Sequence, residues 1–368
     1  ESRGWLLDYA DEQLKAKLGD LGLEKAGRIS FIDDEIDKAR ARVAGKDPEG
    51  AAKLKDELLL HKGWSALGAI FPEERPAVLD KLGFQGQLVF STFAGTQFRR
   101  TKDLDILYGG ADAMNRGMVD FCSVDRRLYA VGYVPLTDLD RAVASARAAI
   151  KEGCRAIHVP ADALPEVSPA HPSYDKFWGL LAETNTPFVL HIGGEQKPIV
   201  ARSLNNNGHK TTDHLGGGEN IRSKDYMAIH HAPELFLAAL VLDGVFERHP
   251  DLRGGVIEDG AMWVVTWLKR LDYAQKAFSR GEPHLKLPEL ASTYVRKHLR
   301  FTPFPHEPVG WMIEQAGAEL FMFSSDFPHP EGTKDPIGRF ETSLAGVDEE
   351  ARLRFYANNF LDLMGMAA

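Results

Sequence analysis

Cysteine is scarce in this 368-residue sequence, which contains only Cys122 and Cys154. The two residues are far apart in the chain, and neither belongs to a CxxC pair. Such cysteine usage is typical of a protein from a reducing compartment. We therefore expect a cytoplasmic protein in which both cysteines are buried as small apolar residues.

Basic residues are fewer than acidic ones: the sequence has 44 Lys and Arg residues and 53 Asp and Glu residues, which gives a net charge of −9. Contact with nucleic-acid phosphates needs clustered basic residues, so we expect no nucleic-acid partner. No apolar run reaches the roughly 18 residues of a membrane-spanning helix, and the start of the chain lacks the basic and apolar regions of a signal peptide. We expect no membrane association, and a small-molecule substrate as the partner.

Apolar residues account for 44% of the sequence, which is enough for a sizeable core. Roughly the first 60 residues have the pattern of charged surface helices. From residue 84 onwards, short apolar runs alternate with helical segments. Seven strands are predicted, at residues 87–92, 128–135, 156–160, 188–191, 255–258, 299–302 and 320–325.

This alternation predicts a parallel sheet of the α/β class. No GxGxxG sequence follows the first strand, which argues against a dinucleotide-binding sheet. Seven strands are one fewer than the eight of a closed (β/α) barrel. We therefore predict a (β/α)8 TIM barrel whose first strand is missing from this chain. Residues 1–83 are predicted to form a helical segment packed on the barrel, and residues 84–368 the barrel domain.

Two stretches of similar design carry candidate functional residues. In LFMFSSDFPHPEG, residues 320–332, a short apolar run ends in small residues and Asp326. In PFVLHIGG, residues 187–194, an apolar strand ends in His191, and two glycines lie shortly after it. Parallel α/β folds place their chemistry at the carboxyl ends of the strands, so the two residues suggest a metal or proton-transfer site. The competing interpretations are an Asp that caps the next helix and a His that belongs to the core.

An ordered series of motifs runs through roughly residues 84 to 365, namely LH at 190–191, GVFERHPDLR at 244–253, EDGAMW at 258–263, SSDFPH at 324–329 and Asn359. This series resembles the amidohydrolase superfamily, in the branch of aminocarboxymuconate semialdehyde decarboxylase and related aromatic acid decarboxylases. The resemblance implies a TIM barrel with a divalent metal at the carboxyl ends of the strands. It also implies ligands from two histidines of the first strand, a histidine ending the fifth and an aspartate ending the eighth. His191 and Asp326 match the last two.

The sequence departs from this family pattern in two places. No HxH or DxH occurs, and residues 1–11 resemble the segment just downstream of that motif, so we expect a first strand with more metal ligands upstream of Glu1. Decarboxylases of this branch carry a His where this chain has Glu258. A carboxylate there can bind metal or act as an acid or base, and we predict Glu258 as a ligand beside His191 and Asp326. The alternative is that Glu258 caps the helix that starts near Ala261.

We expect hydrolysis of a small carboxylate, amide or lactone by metal-activated water, with Asp326 and Glu258 as catalytic groups. One alternative is non-hydrolytic decarboxylation of an aromatic or unsaturated acid. A second is Fe- or Mn-dependent oxygenation, because the chain also resembles the 2-aminoisobutyrate hydroxylase subunits. A third is a non-catalytic subunit paired with an active paralogue. The expected cofactor is a divalent metal, with Zn ahead of Mn or Fe, and the expected assembly is a homodimer or a hetero-oligomer with a paralogue.

Three further histidines are candidates for substrate binding. His329 lies in the loop after Asp326, whereas His230 and His231 stand just before a predicted helix. Adjacent side chains rarely face one pocket, so at most one of this pair is expected to act there. The long polar stretch 195–224 is predicted to shape the pocket as a lid.

Overall fold

The computed structural model describes residues 5–20, 30–92, 94–162, 167–192, 199–210, 221–329 and 332–366. The chain divides into two compact units. Unit 1 consists of Glu1–Pro135, Ala144–Ala156 and Asp326–Asp335, and unit 2 of Leu136–Val143, Ile157–Ser325 and Pro336–Ala368. The division into segments 1–83 and 84–368 stays a prediction.

The strands occupy six of the seven predicted positions. They are β1 Gln87–Val89, β2 Leu128–Tyr133, β3 Ala156–His158, β4 Phe188–His191, β5 Gly254–Ile257 and β6 Leu299–Phe301. In unit 1, β1 pairs with β2. In unit 2, β3 pairs with β4, β4 with β5 and β5 with β6. All of these pairings are parallel, and the predicted fold class, a (β/α)8 barrel, is confirmed.

The seventh predicted strand, 320–325, is reduced to a parallel bridge between Phe301 and Phe321. The physical reason lies in the hydrogen bonds on its other side. The Phe323 amide donates to the Phe355 carbonyl at 2.8 Å, and the Asn359 side chain donates to the Phe321 carbonyl at 2.7 Å. The C-terminal helices therefore take hydrogen bonds that a regular strand would give to a neighbouring strand.

Helices connect the strands, as the periodicity of the sequence predicts. They are α1 Trp5–Asp8, α2 Glu12–Asp20, α3 Ser30–Val43, α4 Pro48–Asp56, α5 Arg75–Leu82, α6 Leu104–Cys122, α7 Leu139–Glu152, α8 Asp175–Glu183, α9 Arg202–Asn205, α10 Ser223–Ala228, α11 His231–Leu242, α12 Val245–Arg248, α13 Met262–Phe278, α14 Ala291–His298, α15 Val309–Ala316, α16 Pro336–Ser343, α17 Glu349–Leu353 and α18 Asn359–Met364. Short 3₁₀ helices lie at Gly63–Ser65, Pro72–Glu74, Ala94–Gln97, Pro172–Tyr174 and Pro283–Leu285, and a π-helical turn at Arg354–Asn358 joins α17 to α18.

Unit 1 is built around β2 and α6. The buried Asn115 of α6 donates to the Tyr133 carbonyl at 3.0 Å and accepts the Tyr133 amide at 2.7 Å, so it replaces strand hydrogen bonds at the end of β2. A separate apolar cluster joins the N-terminal helical region to Phe327, the residue after Asp326. Its buried members are Leu58, Ala66, Leu67, Val78 and Phe327.

The core of unit 2 has an aromatic centre at Trp178 on α8. Its ring makes edge contacts with Phe177, Phe188 and Phe236 at centroid distances of 5.0, 5.3 and 6.3 Å. The indole N–H donates to the Pro169 carbonyl at 2.8 Å, so the buried polar atom is satisfied. This packing joins α8 and α11 to β4, the strand that ends in His191.

The predicted polar lid, 195–224, lies partly outside the described residues. Its described portion contains α9 and the start of α10. The Asn205 side chain donates to the Asp225 carboxylate at 3.1 Å, which ties these two helices together. None of the helices in the described part of the chain has the length and apolar character that crossing a bilayer requires.

Candidate metal centre

His191, Glu258 and Thr302 stand at the carboxyl ends of three consecutive parallel strands. His191 is the last residue of β4, and it is in register with Ile257 at the end of β5. Glu258 follows β5, and Thr302 follows β6. The carboxyl ends of parallel neighbours meet at one edge of the sheet, so the strand pattern that the sequence predicts brings these side chains together.

The hydrogen bonds of His191 define which ring nitrogen carries a proton. Nδ1 lies 2.5 Å from the Ile192 carbonyl oxygen, which can only accept, so Nδ1 must be the protonated donor. Nε2 lies 3.0 Å from a carboxylate oxygen of Glu258, a second acceptor. Two acceptors face each other at that point unless a proton or a metal cation lies there. This donor set, an imidazole nitrogen oriented by a carbonyl and facing a carboxylate, fits a divalent metal.

Glu258 has a backbone conformation that non-glycine residues seldom adopt. Its φ is 62°, in the left-handed region. Its amide N–H donates to the Thr302 hydroxyl oxygen at 3.0 Å. Strained backbone of this kind persists where surrounding contacts hold it, and it is concentrated at functional sites.

His158, which ends β3, is a candidate that the sequence interpretation missed. It is buried, and its ring centroid lies 5.8 Å from that of His191. The signal that identified His191, a histidine that ends a short apolar strand, also applies to the AIH sequence at residues 156–158.

In unit 1, the structure brings Asp326 and His329 together. Asp326 has a φ of 50°, again in the left-handed region, and its carbonyl accepts the His329 amide at 2.7 Å. The His329 Nδ1 lies 3.9 Å from an Asp326 carboxylate oxygen, and its Nε2 lies 3.3 Å from the Thr92 hydroxyl. The Gly63 amide donates to the Pro328 carbonyl at 2.7 Å, which fixes the loop between the two residues. This loop therefore presents a carboxylate and an imidazole within one turn.

His230 and His231 lie at the start of α11. The ring of His230 stacks on Trp263 with a centroid distance of 5.5 Å, and His231 packs edge-on against His230. Burial lowers the pKa of His230, and the neighbouring His231 acts in the same direction. The Trp263 indole donates to the Gly260 carbonyl at 3.0 Å, so His230 packs beside the loop that carries Glu258. Substrate binding by His230, His231 and His329 stays a prediction.

The comparisons with known proteins agree with this architecture. A family model described as "Amidohydrolase" matches residues 67–359. No curated protein sequence matches the chain.

Three solved structures illustrate the similarity. An amidohydrolase from Mycobacterium avium subsp. paratuberculosis is 24% identical with a TM-score of 0.67, over 81% of this chain and 75% of that one. A 2,6-dihydroxybenzoate decarboxylase from Rhizobium is 18% identical with a TM-score of 0.59, over 79% and 87%. A manganese-containing 5-carboxyvanillate decarboxylase from Novosphingobium aromaticivorans is 18% identical with a TM-score of 0.61, over 79% of each chain. At these identities the likeness establishes the shared fold.

Proposed function

Because the chain belongs to the amidohydrolase family, a family of enzymes, we propose that it is a metal-dependent carboxy-lyase. Its substrate would be a small aromatic or unsaturated carboxylic acid, from which it releases CO2. The support comes from the fold, because solved structures with this fold include decarboxylases of 5-carboxyvanillate and of 2,6-dihydroxybenzoate. Hydrolysis, the first expectation from the sequence, becomes the second candidate.

The observation that carries the proposal is the His191–Glu258 contact. His191 donates from Nδ1 to the Ile192 carbonyl, so its Nε2 faces a Glu258 carboxylate oxygen at 3.0 Å, and a divalent cation bound by both atoms fits this arrangement. We propose His191, Glu258 and Asp326 as ligands of one divalent metal. Zn, Mn and Fe are all compatible with one imidazole and two carboxylates, and the decarboxylase from Novosphingobium contains manganese.

The bound metal would supply positive charge that orients the substrate carboxylate and stabilises negative charge during the reaction. In decarboxylation the bond between the substrate carbon and its carboxylate breaks, CO2 leaves, and that carbon gains one proton. Glu258 is the proposed carrier of this proton, because its carboxylate lies at the strand ends beside the proposed metal ligand His191 and can take up and release a proton. The hydrogen bond from Nδ1 to the Ile192 carbonyl orients the His191 ring, so that Nε2 faces the Glu258 carboxylate.

Hydrolysis is retained because of one observation, the identity of residue 258. Decarboxylases of the branch that this sequence resembles carry a histidine there, whereas this chain has a glutamate. A carboxylate beside a metal can accept the proton of an attacking water, which is the role that hydrolysis of an amide or lactone requires.

The test is a product assay on the Mn²⁺-loaded and the Zn²⁺-loaded protein. The substrates are 2,6-dihydroxybenzoate, 5-carboxyvanillate and further aromatic and unsaturated acids, with CO2 release as the readout. A parallel panel of lactones and amides is followed by acid release, and oxygen uptake is recorded throughout. CO2 release that depends on metal and disappears in His191→Ala supports the proposal. The exposed His284→Gln serves as the matched control.

Hydrolysis of a lactone or amide without CO2 release from any acid would overturn the carboxy-lyase proposal. Product formation coupled to oxygen uptake would also overturn it.

A further inference from the structure

The segment Glu258–Ala261, here called the Glu258 loop, joins β5 to α13 and is held from two sides by residues of the chain after β6. We propose that Thr302 and Glu307 are positioning residues that keep the Glu258 carboxylate against His191 and thereby set the affinity of this site for a divalent cation. The inference deepens the proposed function and rests on it, because it takes His191 and Glu258 as metal ligands.

Thr302 fixes the strained backbone at Glu258. Its hydroxyl oxygen accepts the Glu258 amide at 3.0 Å, and the same hydroxyl lies 3.3 Å from the Val256 carbonyl, to which it donates. The Thr302 amide also donates to the Val256 carbonyl at 2.9 Å. The side chain is therefore a bridge from the end of β5 to residue 258. Valine has almost the same shape and lacks the acceptor, so it would leave the Glu258 amide without its partner while the strand pairing remains.

Glu307 holds the other end of the Glu258 loop. Helix α13 starts after Ala261, whose side chain cannot cap a helix. The buried Glu307 carboxylate accepts the Ala261, Met262 and Phe304 amides at 3.0, 2.9 and 2.7 Å. The Glu307 carboxylate, distant in sequence, thus caps the start of α13, as an Asp or Ser at the N-cap position usually does. Its hydrogen bond from the Phe304 amide also holds the loop after β6 in place. Burial raises the pKa of Glu307, and these three hydrogen bonds oppose that shift.

Gly260 makes the close approach of these parts possible. Its φ is 66°, and a Cβ atom at this position would lie 2.9 Å from the Phe304 ring and 3.2 Å from the Glu307 carboxylate. The loop therefore packs against Phe304 and Glu307 without space for a side chain. With Thr302 at one end and Glu307 at the other, the backbone that carries the Glu258 side chain is held by contacts from outside its own loop.

The experiment measures the Kd for Mn²⁺ of the full chain by calorimetric titration, with far-UV circular dichroism as a check of folding. Thr302→Val is expected to raise the Kd by roughly 10- to 100-fold, the usual effect of removing a group that orients a metal ligand. Thr302→Ser restores the hydroxyl and is expected to restore the affinity, which a purely structural role for the methyl group would not produce. Thr266→Val, an exposed Thr on α13, is the matched control and should leave the Kd unchanged.

Glu307→Gln provides an independent second variant. One of its side-chain atoms becomes an N–H donor that faces backbone donors, so it too should raise the Kd, whereas the exposed Glu314→Gln should not. Unchanged Mn²⁺ affinity in both Thr302→Val and Glu307→Gln would overturn the positioning role of these residues. The proposed function would stand in that case, because the unaltered chain would still bind the metal. If the unaltered chain binds neither Mn²⁺ nor Zn²⁺, the proposed function fails and the inference fails with it.

Discussion

At the scale of single residues, backbone conformation separates Glu258 and Asp326 from the other acidic residues that the structure describes. Among the described residues, the non-glycine positions with positive φ are Asn185, Glu258, Asp326 and Thr333. Two of these four are the carboxylates that the sequence singles out at strand ends. A left-handed Asp or Glu costs roughly 1–3 kcal/mol, so these residues are held in place by their surroundings rather than by local preference.

Asp326→Asn is predicted to remove metal and activity while leaving the fold intact. The amide is a poorer metal ligand than the carboxylate, and Asn tolerates the left-handed conformation well. Asn has nearly the same size as Asp, and the Asp326 side chain is only partly buried, so no cavity forms in the core. Bound metal after dialysis, enzymatic turnover and the urea unfolding midpoint are measured together. The exposed Asp335→Asn is the control, and full turnover in Asp326→Asn would contradict a catalytic role.

His298 is predicted to make stability depend on pH. Burial lowers its pKa below the ordinary value of 6.5, although its Nδ1 lies 2.8 Å from the Leu252 carbonyl, a contact that acts the other way. As the pH falls through 6.5, the unfolded chain takes up a proton that the folded chain resists. The free energy of unfolding therefore decreases as the pH falls through 6.5. Well above pH 6.5, His298 is neutral in both the folded and the unfolded chain and causes no pH dependence.

The measurement compares the urea unfolding midpoints of the unaltered protein and His298→Asn between pH 7.5 and pH 5.5. Asn keeps a donor near the Leu252 carbonyl and cannot titrate. The variant is expected to be less stable at the higher pH, and the gap should narrow as the pH falls. A gap that stays constant would show that His298 contributes nothing to the pH dependence.

At the scale of elements, the stretch 320–323 depends on the C-terminal helix for its position. The buried Asn359 side chain donates to the Ala318 carbonyl at 2.6 Å and to the Phe321 carbonyl at 2.7 Å. The π-helical turn before it supplies the Phe355 carbonyl to Phe323. The last helix therefore completes the hydrogen bonding of the segment that leads to Asp326.

Asn359→Ala is predicted to destabilise the protein by about 2–4 kcal/mol, because it leaves two buried carbonyl groups without donors. The free energy of unfolding from urea titration is the measurement. Asn358→Ala changes the neighbouring, less buried residue and should cost less than about 1 kcal/mol. Equal effects of the two substitutions would contradict the role assigned to the Asn359 hydrogen bonds.

At the scale of the whole molecule, the family match covers residues 67–359 and so includes parts of both units. Its residues contribute β1 to β6 and the candidate ligands His191, Glu258 and Asp326. A ligand that binds the folded chain and not the unfolded chain stabilises it by mass action.

Mn²⁺ at about 100 times its Kd is therefore predicted to stabilise the protein by about 2.7 kcal/mol. Thermal unfolding is followed with increasing Mn²⁺, after removal of metal by a chelator. His191→Ala should show little or no shift, and the exposed His284→Gln should shift like the unaltered protein. A shift of equal size in His191→Ala would place the stabilising metal elsewhere.

The sequence by itself determined six strand positions, the parallel α/β class and the candidate residues His191 and Asp326 at the ends of apolar runs. These features follow from local patterns, namely short apolar runs, the breakers that bound them and the residue at which each run stops. Glu258 became a candidate through the family resemblance. The irregular seventh strand was beyond such patterns, because Phe355 and Asn359 decide its hydrogen bonding from far along the chain.

Only the tertiary structure decided how the candidate ligands are supported. Thr302 reaches Glu258 across 44 positions of sequence, and Glu307 reaches Ala261 across 46. His158 is a candidate for the site because its ring lies beside the ring of His191 on the neighbouring strand. A positive φ at Glu258 is unfavourable for the residue alone, so no local pattern predicts it. The physical reason is that distant hydrogen-bond partners, which exist only after folding, stabilise the conformation that the local sequence disfavours.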